Sequence, residues 1–135
     1  MKPELLIRLE VEALLVEWAW RVDEGRAVSA ADFFCEDAEQ VLLGAKASGL
    51  AAIRATLEQR QKLVDRTSLH TISNVRITSV DGDLVHAQWV LTLFRSDEAG
   101  PPAIPFLVAI GNDQYRRMAD GQLKIWRREL VPKFG

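Results

Sequence analysis

The fold is decided by residues 67–95, which read TSLHTISNVRITSVDGDLVHAQWVLTLFR. The first half is rich in β-branched residues, which favour strands. The triplet at 81–83, Asp-Gly-Asp, is a strong hairpin turn signal. In the second half an apolar side chain recurs at every second position: Val85, Ala87, Trp89, Leu91 and Leu93. Because this period of two is typical of a strand with one buried face, the stretch predicts two antiparallel strands, 67–80 and 84–95.

The sequence after this hairpin predicts further strands of the same sheet. Residues 104–118 and 123–131 read as two further strands, joined by a turn at Asp120-Gly121, and residues 96–102 read as a loop. The sheet is therefore expected to be a meander of long strands.

The segment before the hairpin predicts helices. Residues 3–22 read as a helix, with Pro3 in its first turn and Gly25 at its end. Its expected apolar stripe consists of Leu6, Leu9, Leu14, Leu15, Trp18 and Val22. Ser29 is expected to cap a short second helix carrying Phe33 and Phe34. A third helix is predicted over 49–63, with Ile53, Leu57 and Leu63 on one side, after a short strand at 40–43.

This order of elements points to an α+β fold in which a cone-shaped, curved antiparallel sheet wraps around three N-terminal helices. A chain of 135 residues is about the length of one domain, and no linker divides it, so we expect a single domain over 1–135. A curved sheet closed by helices forms a pocket, which predicts a small-molecule ligand or substrate.

The overall composition excludes several classes of function. The 17 basic and 19 acidic residues give a net charge of -2, so neither nucleic acid nor a membrane surface is an expected partner. Cys35 is the single cysteine, and no disulfide can form within the chain. With no signal-peptide pattern and no apolar run long enough to span a bilayer, a cytoplasmic protein is expected.

The chain has two histidines, and they are interpreted differently. His70 lies early in the first long strand. It is either a hydrogen-bonded structural residue or a general base, since histidine is the side chain that changes charge near neutral pH. His86 lies opposite the apolar face of its strand and is expected to point outward.

Two further positions are candidates for chemistry. Asp23 directly follows the apolar stripe of the first helix. It is either a solvated carboxylate at the helix end or, because that end disfavours negative charge, a carboxylate that another group holds. A carboxylate bonded to an imidazole N–H would fix the tautomer of that imidazole. Arg127 and Arg128 point to opposite faces of the last strand; one of them could enter the pocket, or both could be solvated. No zinc spacing, phosphate loop or dinucleotide fingerprint is present, so neither metal nor cofactor is expected.

Four motifs in order along the chain carry a resemblance to a known family: 18–23 (WAWRVD), 69–75 (LHTISNV), 113–117 (DQYRR) and 121–128 (GQLKIWRR). They resemble the SnoaL-like branch of the nuclear-transport-factor-2-like superfamily. Within it the chain looks closest to the scytalone dehydratase and hexachlorocyclohexane dehydrochlorinase group. Those enzymes use an aspartate–histidine dyad and no cofactor.

The resemblance implies roles for particular residues. The dyad falls on Asp23 and His70, and the C-terminal pocket arginine falls on Arg128. The resemblance also places on the pocket side Trp89, Leu91, Leu93, Leu107, Ala109 and Gly111. Trp18 stands where relatives usually carry a tyrosine or lysine. Tryptophan has one N–H donor and cannot act as an acid there.

The leading hypothesis is therefore a cofactor-independent lyase or isomerase that acts on a small, mainly apolar cyclic molecule. His70 would remove a proton, Asp23 would orient it, and Arg128 would support the developing anion. The expected apolar wall consists of Trp18, Phe34, Trp89, Leu91, Leu107 and Ala109. The alternatives are a non-catalytic ligand-binding protein, and a small β-type subunit of a ring-hydroxylating dioxygenase. A homodimer or homotrimer is expected, since Val90 and Phe94 lie on the outer sheet face.

Overall fold

The computed structural model describes residues 2–97 and 105–135. The described helices are α1 (Pro3–Asp23), a 3₁₀ helix (Ala27–Phe33) and α2 (Leu50–Lys62). The described strands are β1 (Phe34–Leu42), β2 (Ala45–Ser48), β3 (Thr67–Asp81), β4 (Leu84–Ser96), β5 (Leu107–Arg117) and β6 (Leu123–Phe134). None of the described helices has the length and apolar character needed to cross a membrane.

The six described strands form one curved, unclosed sheet in the order β2-β1-β6-β5-β4-β3. Neighbouring strands are antiparallel except β1 and β6, which run parallel and place Gln40 beside Arg128. The predicted α+β class, with three helices against a curved sheet, is confirmed. The sheet is mixed rather than wholly antiparallel, because β1 enters it between helices and pairs with the last strand.

Helix α1 buries a different face from the predicted one. The buried side chains are Val11, Leu14, Leu15, Trp18, Ala19 and Val22. Leu6 and Leu9 were expected in this stripe but are 49% and 45% exposed. At roughly 100° per residue both point away from the buried face of the helix, and Leu9 lies opposite Trp18. The expected stop is confirmed: Gly25 takes a φ of 82°, and the Arg26 N–H donates to the Arg21 carbonyl at 2.9 Å.

Elements between the helices depart from the predictions. Strand β1 begins at Phe34, six residues before the predicted strand, and thereby ends the 3₁₀ helix. Ser29 does not cap that helix; it lies inside it, where its hydroxyl donates to the Arg26 carbonyl. Strand β2 was not predicted, because residues 45–48 (AKAS) are short and carry little β-forming character. The third helix and the long hairpin follow the predictions within a few residues. Part of the predicted loop 96–102 and the start of the predicted strand 104–118 lie outside the described residues.

The concave face of the sheet forms the core. The alternating residues predicted on β4 are all buried there. Trp89 on β4 lies opposite Gly111 on β5, and a Cβ added to Gly111 would lie 2.2 Å from the Trp89 ring. The glycine is therefore required for the indole to lie flat on the neighbouring strand.

We expect Gly111→Ala to destabilise the protein by about 1–3 kcal/mol, because the added methyl displaces a fully buried indole. The loss is measured as the change in the urea unfolding midpoint. Gln114→Ala, on the outward side of the same strand, is the matched control and should change stability by less than about 0.5 kcal/mol. Equal effects of the two substitutions would contradict this interpretation of the Trp89–Gly111 contact.

Candidate functional site

Asp23 and His70 are in direct contact. Asp23 is the last residue of α1, and His70 is the fourth residue of β3. The His70 Nδ1 lies 2.6 Å from Asp23 Oδ1, and the His70 backbone N–H donates to Oδ2 at 2.8 Å. The His70 side chain is 12% exposed and the Asp23 side chain is 6% exposed. The carboxylate at the helix end is thus held by a partner strand, as its unfavourable position at a helix C-terminus required.

The contact extends to two further side chains. The Ser68 hydroxyl donates to Asp23 Oδ1 at 2.7 Å, and Arg60 Nη2 donates to the Ser68 oxygen at 2.7 Å. Ser68 and His70 share one face of β3 because side chains on a strand alternate. The result is a continuous chain of hydrogen bonds from Arg60 on α2 to the imidazole.

This arrangement sets the charge of the carboxylate. Burial by itself raises the pKa of Asp23, but the hydrogen bonds and charge of His70, together with the Ser68 hydroxyl, outweigh it and hold that pKa below 3.8. An ionised carboxylate accepts hydrogen bonds, so in the neutral imidazole the proton is assigned to Nδ1 and the lone pair to Nε2. Among the described residues nothing else bonds to Nε2, which leaves it available to a ligand.

Trp18 positions the imidazole from the side. The two rings meet edge to face, with centroids 5.4 Å apart and an interplanar angle of 73°. Trp18 also meets Trp89 edge to face at 6.1 Å. Such contacts fix ring orientation and stabilise the pair by about 0.5–1.5 kcal/mol.

A cavity of about 170 Å³ opens beside these residues. Its lining residues are Trp18, Val22, Gln40, Leu42, Thr56, Leu57, Arg60, Arg66, Ser68, His70, Leu93 and Arg95. Of the residues predicted for the pocket, Trp18, His70 and Leu93 line it, and Asp23 bonds to His70. The three arginines in the lining were not predicted, because each arginine taken alone resembles an ordinary surface cation.

The other residues predicted for the apolar wall lie deeper. They are buried in the core, outside the lining of this cavity: Phe34, Trp89, Leu91, Leu107 and Ala109. Trp18, which lines the cavity, packs edge to face on the buried Trp89 ring. A substrate contact for these five residues stays a prediction.

Arg128 and not Arg127 faces the interior. Residues 125 and 128 are both inward because a register shift in β6 places Trp126 and Arg127 on the outside. Arg127 stacks on the Trp126 ring at 4.0 Å and is partly exposed. The Arg128 guanidinium is 1% exposed and lies 4.7 Å from the Trp18 ring. It does not line the cavity, so its part in any reaction stays a prediction.

A buried carboxylate holds Arg128 in place. Asp113 accepts from Arg128 Nε at 3.0 Å and from Nη2 at 2.8 Å. It also accepts from Trp89 Nε1 at 2.9 Å and from the Tyr115 hydroxyl. Burial and the neighbouring Asp113 raise the pKa of Tyr115 well above 10, so it stays a donor. In the described part of the chain, Arg128 Nη1 is buried without a partner.

The comparisons with known proteins identify the family and the fold. The family model of the SnoaL-like domain matches residues 3–129. The chain belongs to the SnoaL-like domain family. The resemblance stated from the motifs is thereby confirmed. A comparison with curated protein sequences finds no significant match.

Solved structures share the fold of this chain, and three from Novosphingobium aromaticivorans illustrate it. A protein assigned as a scytalone dehydratase is 24% identical, with a TM-score of 0.83 over 96% of this chain and 86% of the other. An NTF2-like protein with a cystatin-like fold is 26% identical, with a TM-score of 0.81 over 97% and 84%. A protein assigned as the β subunit of an aromatic-ring-hydroxylating dioxygenase is 13% identical, with a TM-score of 0.87 over 99% and 94%.

We expect Asp113→Asn to destabilise the protein by about 3–5 kcal/mol, because it leaves the buried Arg128 charge without a counter-charge. Urea unfolding measures the loss. Asp65→Asn, at an exposed site between α2 and β3, is the control and should stay within about 0.5 kcal/mol of the unaltered protein. A loss below about 1 kcal/mol for Asp113→Asn would contradict the structural role of this pair.

The depressed pKa of Asp23 predicts a pH-dependent stability. Because the folded pKa lies below the unfolded value of 3.8, ionised Asp23 stabilises the fold above that value, and this stabilisation is lost as pH falls through the folded pKa. Asp23→Asn should therefore be less stable than the unaltered protein at pH 5, and the difference should shrink toward pH 2.5. Thermal unfolding across this range measures it. A difference that is independent of pH would contradict the prediction.

Proposed function

We propose that this protein is a cofactor-independent lyase or isomerase that removes a proton from a small cyclic substrate. The observation that carries the proposal is the 2.6 Å contact between Asp23 and the Nδ1 of His70, at the wall of a cavity. The contact leaves Nε2 as the basic nitrogen of an oriented imidazole.

Each residue of the pair has a distinct role. His70 Nε2 takes a proton from a carbon next to an activating group, and the C–H electron pair moves into that group or expels a leaving group. Asp23 keeps Nδ1 protonated and stabilises the imidazolium that forms. For an isomerase the proton returns at another carbon; for a lyase it leaves with the departing group. Either way the atoms balance with no oxidant or reductant.

His70→Ala tests the proposal through proton exchange. The purified protein is incubated in D₂O with a panel of one-ring and two-ring cyclic ketones, and deuterium uptake is followed by mass spectrometry. A positioned base contributes about 10²- to 10⁴-fold, so the variant should lose at least about 100-fold in the exchange rate. Asp23→Asn should also slow exchange, because an amide does not stabilise the imidazolium.

The matched control is His86→Ala, since His86 lies on the outward side of β4. It should exchange deuterium at the rate of the unaltered protein. The proposal fails if the unaltered protein catalyses exchange no faster than His70→Ala.

A second candidate is a non-catalytic β-type subunit of a ring-hydroxylating dioxygenase. It is supported by the shared fold, which matches the dioxygenase β subunit over 99% of this chain. In that case the protein binds a large iron-containing subunit, and His70→Ala leaves the complex intact. Self-association fits both candidates, because Val90 and Phe94 are partly exposed on the outer face of β4.

A further inference from the structure

Three arginines meet at the cavity and are called the arginine cluster: Arg60, Arg66 and Arg95. They come from the end of α2, the connection to β3, and the end of β4. All three line the same cavity as His70. Since like charges repel, such a cluster beside a buried dyad calls for a counter-charge.

The described residues supply that counter-charge in part. Asp97 accepts from Arg66 Nε at 2.6 Å and from Arg95 Nη2 at 2.9 Å, so one carboxylate serves two guanidinium groups. The hydrogen-bond partner of Arg60 is the neutral hydroxyl of Ser68. Asp23 lies behind that serine and is already bonded to His70. Within residues 2–97 and 105–135, the cavity therefore keeps an excess of positive charge.

The pKa of Arg60 is lowered by its surroundings in the cavity. Burial, followed by the charges of Arg66 and Arg95, lowers the pKa of Arg60, and Asp23 and Asp97 oppose that shift. Burial removes water that would otherwise solvate the guanidinium. A bound anion would restore the lost stabilisation.

The cavity is small, and part of its lining is apolar. Its apolar lining includes Leu42, Leu57, Leu93 and Trp18, which share the cavity with the arginine cluster. The volume of about 170 Å³ is close to the roughly 150 Å³ of an engineered cavity that binds benzene. The cavity as a whole therefore has room for about one ring.

We propose that the substrate is a small ring-bearing acid, whose carboxylate or phosphate is bound by the arginine cluster and whose ring lies against Leu57, Leu93 and Trp18. The guanidinium fork matches both acid groups in geometry. This inference rests on the proposed function and names its substrate class.

The spacing along β3 relates the acid group to the base. Arg60 bonds to Ser68, and His70 is two residues further along the same face, about 7 Å away on an extended strand. An acid group on Arg60 would therefore place the ring between the cluster and the imidazole. Anion binding and proton removal would then act on opposite ends of one small molecule.

Calorimetry with three matched probes tests the inference: benzoate, phenyl phosphate and benzamide. The unaltered protein should bind one or both anions at least about tenfold more tightly than neutral benzamide, and the two anions distinguish carboxylate from phosphate. The Kd of the anion should rise with salt, while that of benzamide should not. Equal affinity for all three probes, or no binding, would overturn the proposal.

Arg60→Met tests the cluster directly, since it keeps an unbranched side chain and removes the charge. It should weaken anion binding at least about tenfold and leave benzamide binding unchanged. Arg54→Met, an exposed position on the same helix, is the matched control and should bind as the unaltered protein does. Equal effects of the two variants would overturn the proposal, and the salt series on the unaltered protein tests it without any substitution.

The outcome is separable from that of the proposed reaction. His70→Ala keeps the arginine cluster, so it should still bind the anion at least about tenfold more tightly than benzamide. If anions bind but deuterium exchange does not depend on His70, the substrate inference stands as a binding property and the lyase proposal fails. If exchange depends on His70 but anions do not bind, the lyase proposal stands and the substrate inference fails.

Discussion

The buried Asp113 carboxylate is the interaction on which the rest of the structure depends. Four donors from three neighbouring strands converge on it, among them Trp89 and two nitrogens of Arg128. A charged pair in this position costs a large desolvation energy, so every remaining lone pair must be used. The guanidinium lies beneath Trp18, and Trp18 in turn meets the edge of His70. The buried Asp113–Arg128 ion pair thus supports Trp18, and Trp18 in turn fixes the orientation of the His70 imidazole.

Much of this arrangement follows from local sequence patterns. Strict alternation on β4 is sufficient to predict its buried face, because a strand has no other way to bury every second side chain. The position of Asp23 at a helix end also indicated a partner from elsewhere, since the helix itself disfavours a carboxylate there. Its identity as His70 came from the family resemblance. The structure then shows the distance, which no spacing along the chain could supply.

Other features are not encoded locally. The arginine cluster combines residues from three elements, and each arginine alone is indistinguishable from a solvated one. The inward position of Arg128 depends on a register shift in β6, because uninterrupted alternation from Ile125 would have turned Arg127 inward instead. Strand β2 is held by pairing with β1 rather than by its own composition. Contacts between segments far apart in the sequence determine these three features, so they cannot be predicted from any one segment.

The parallel pairing of β1 with β6 also dictates an order of assembly. Gln40 and Leu42 form one wall of the cavity, yet β1 joins the main sheet through a strand that lies some ninety residues later in the chain. Closing so long a loop is entropically slow, and it requires the last strand to have left the ribosome. The β3–β4 hairpin can form early, whereas the cavity is completed last. During synthesis the apolar concave face therefore stays open to water, which makes this interval the one in which the nascent chain is most exposed to aggregation.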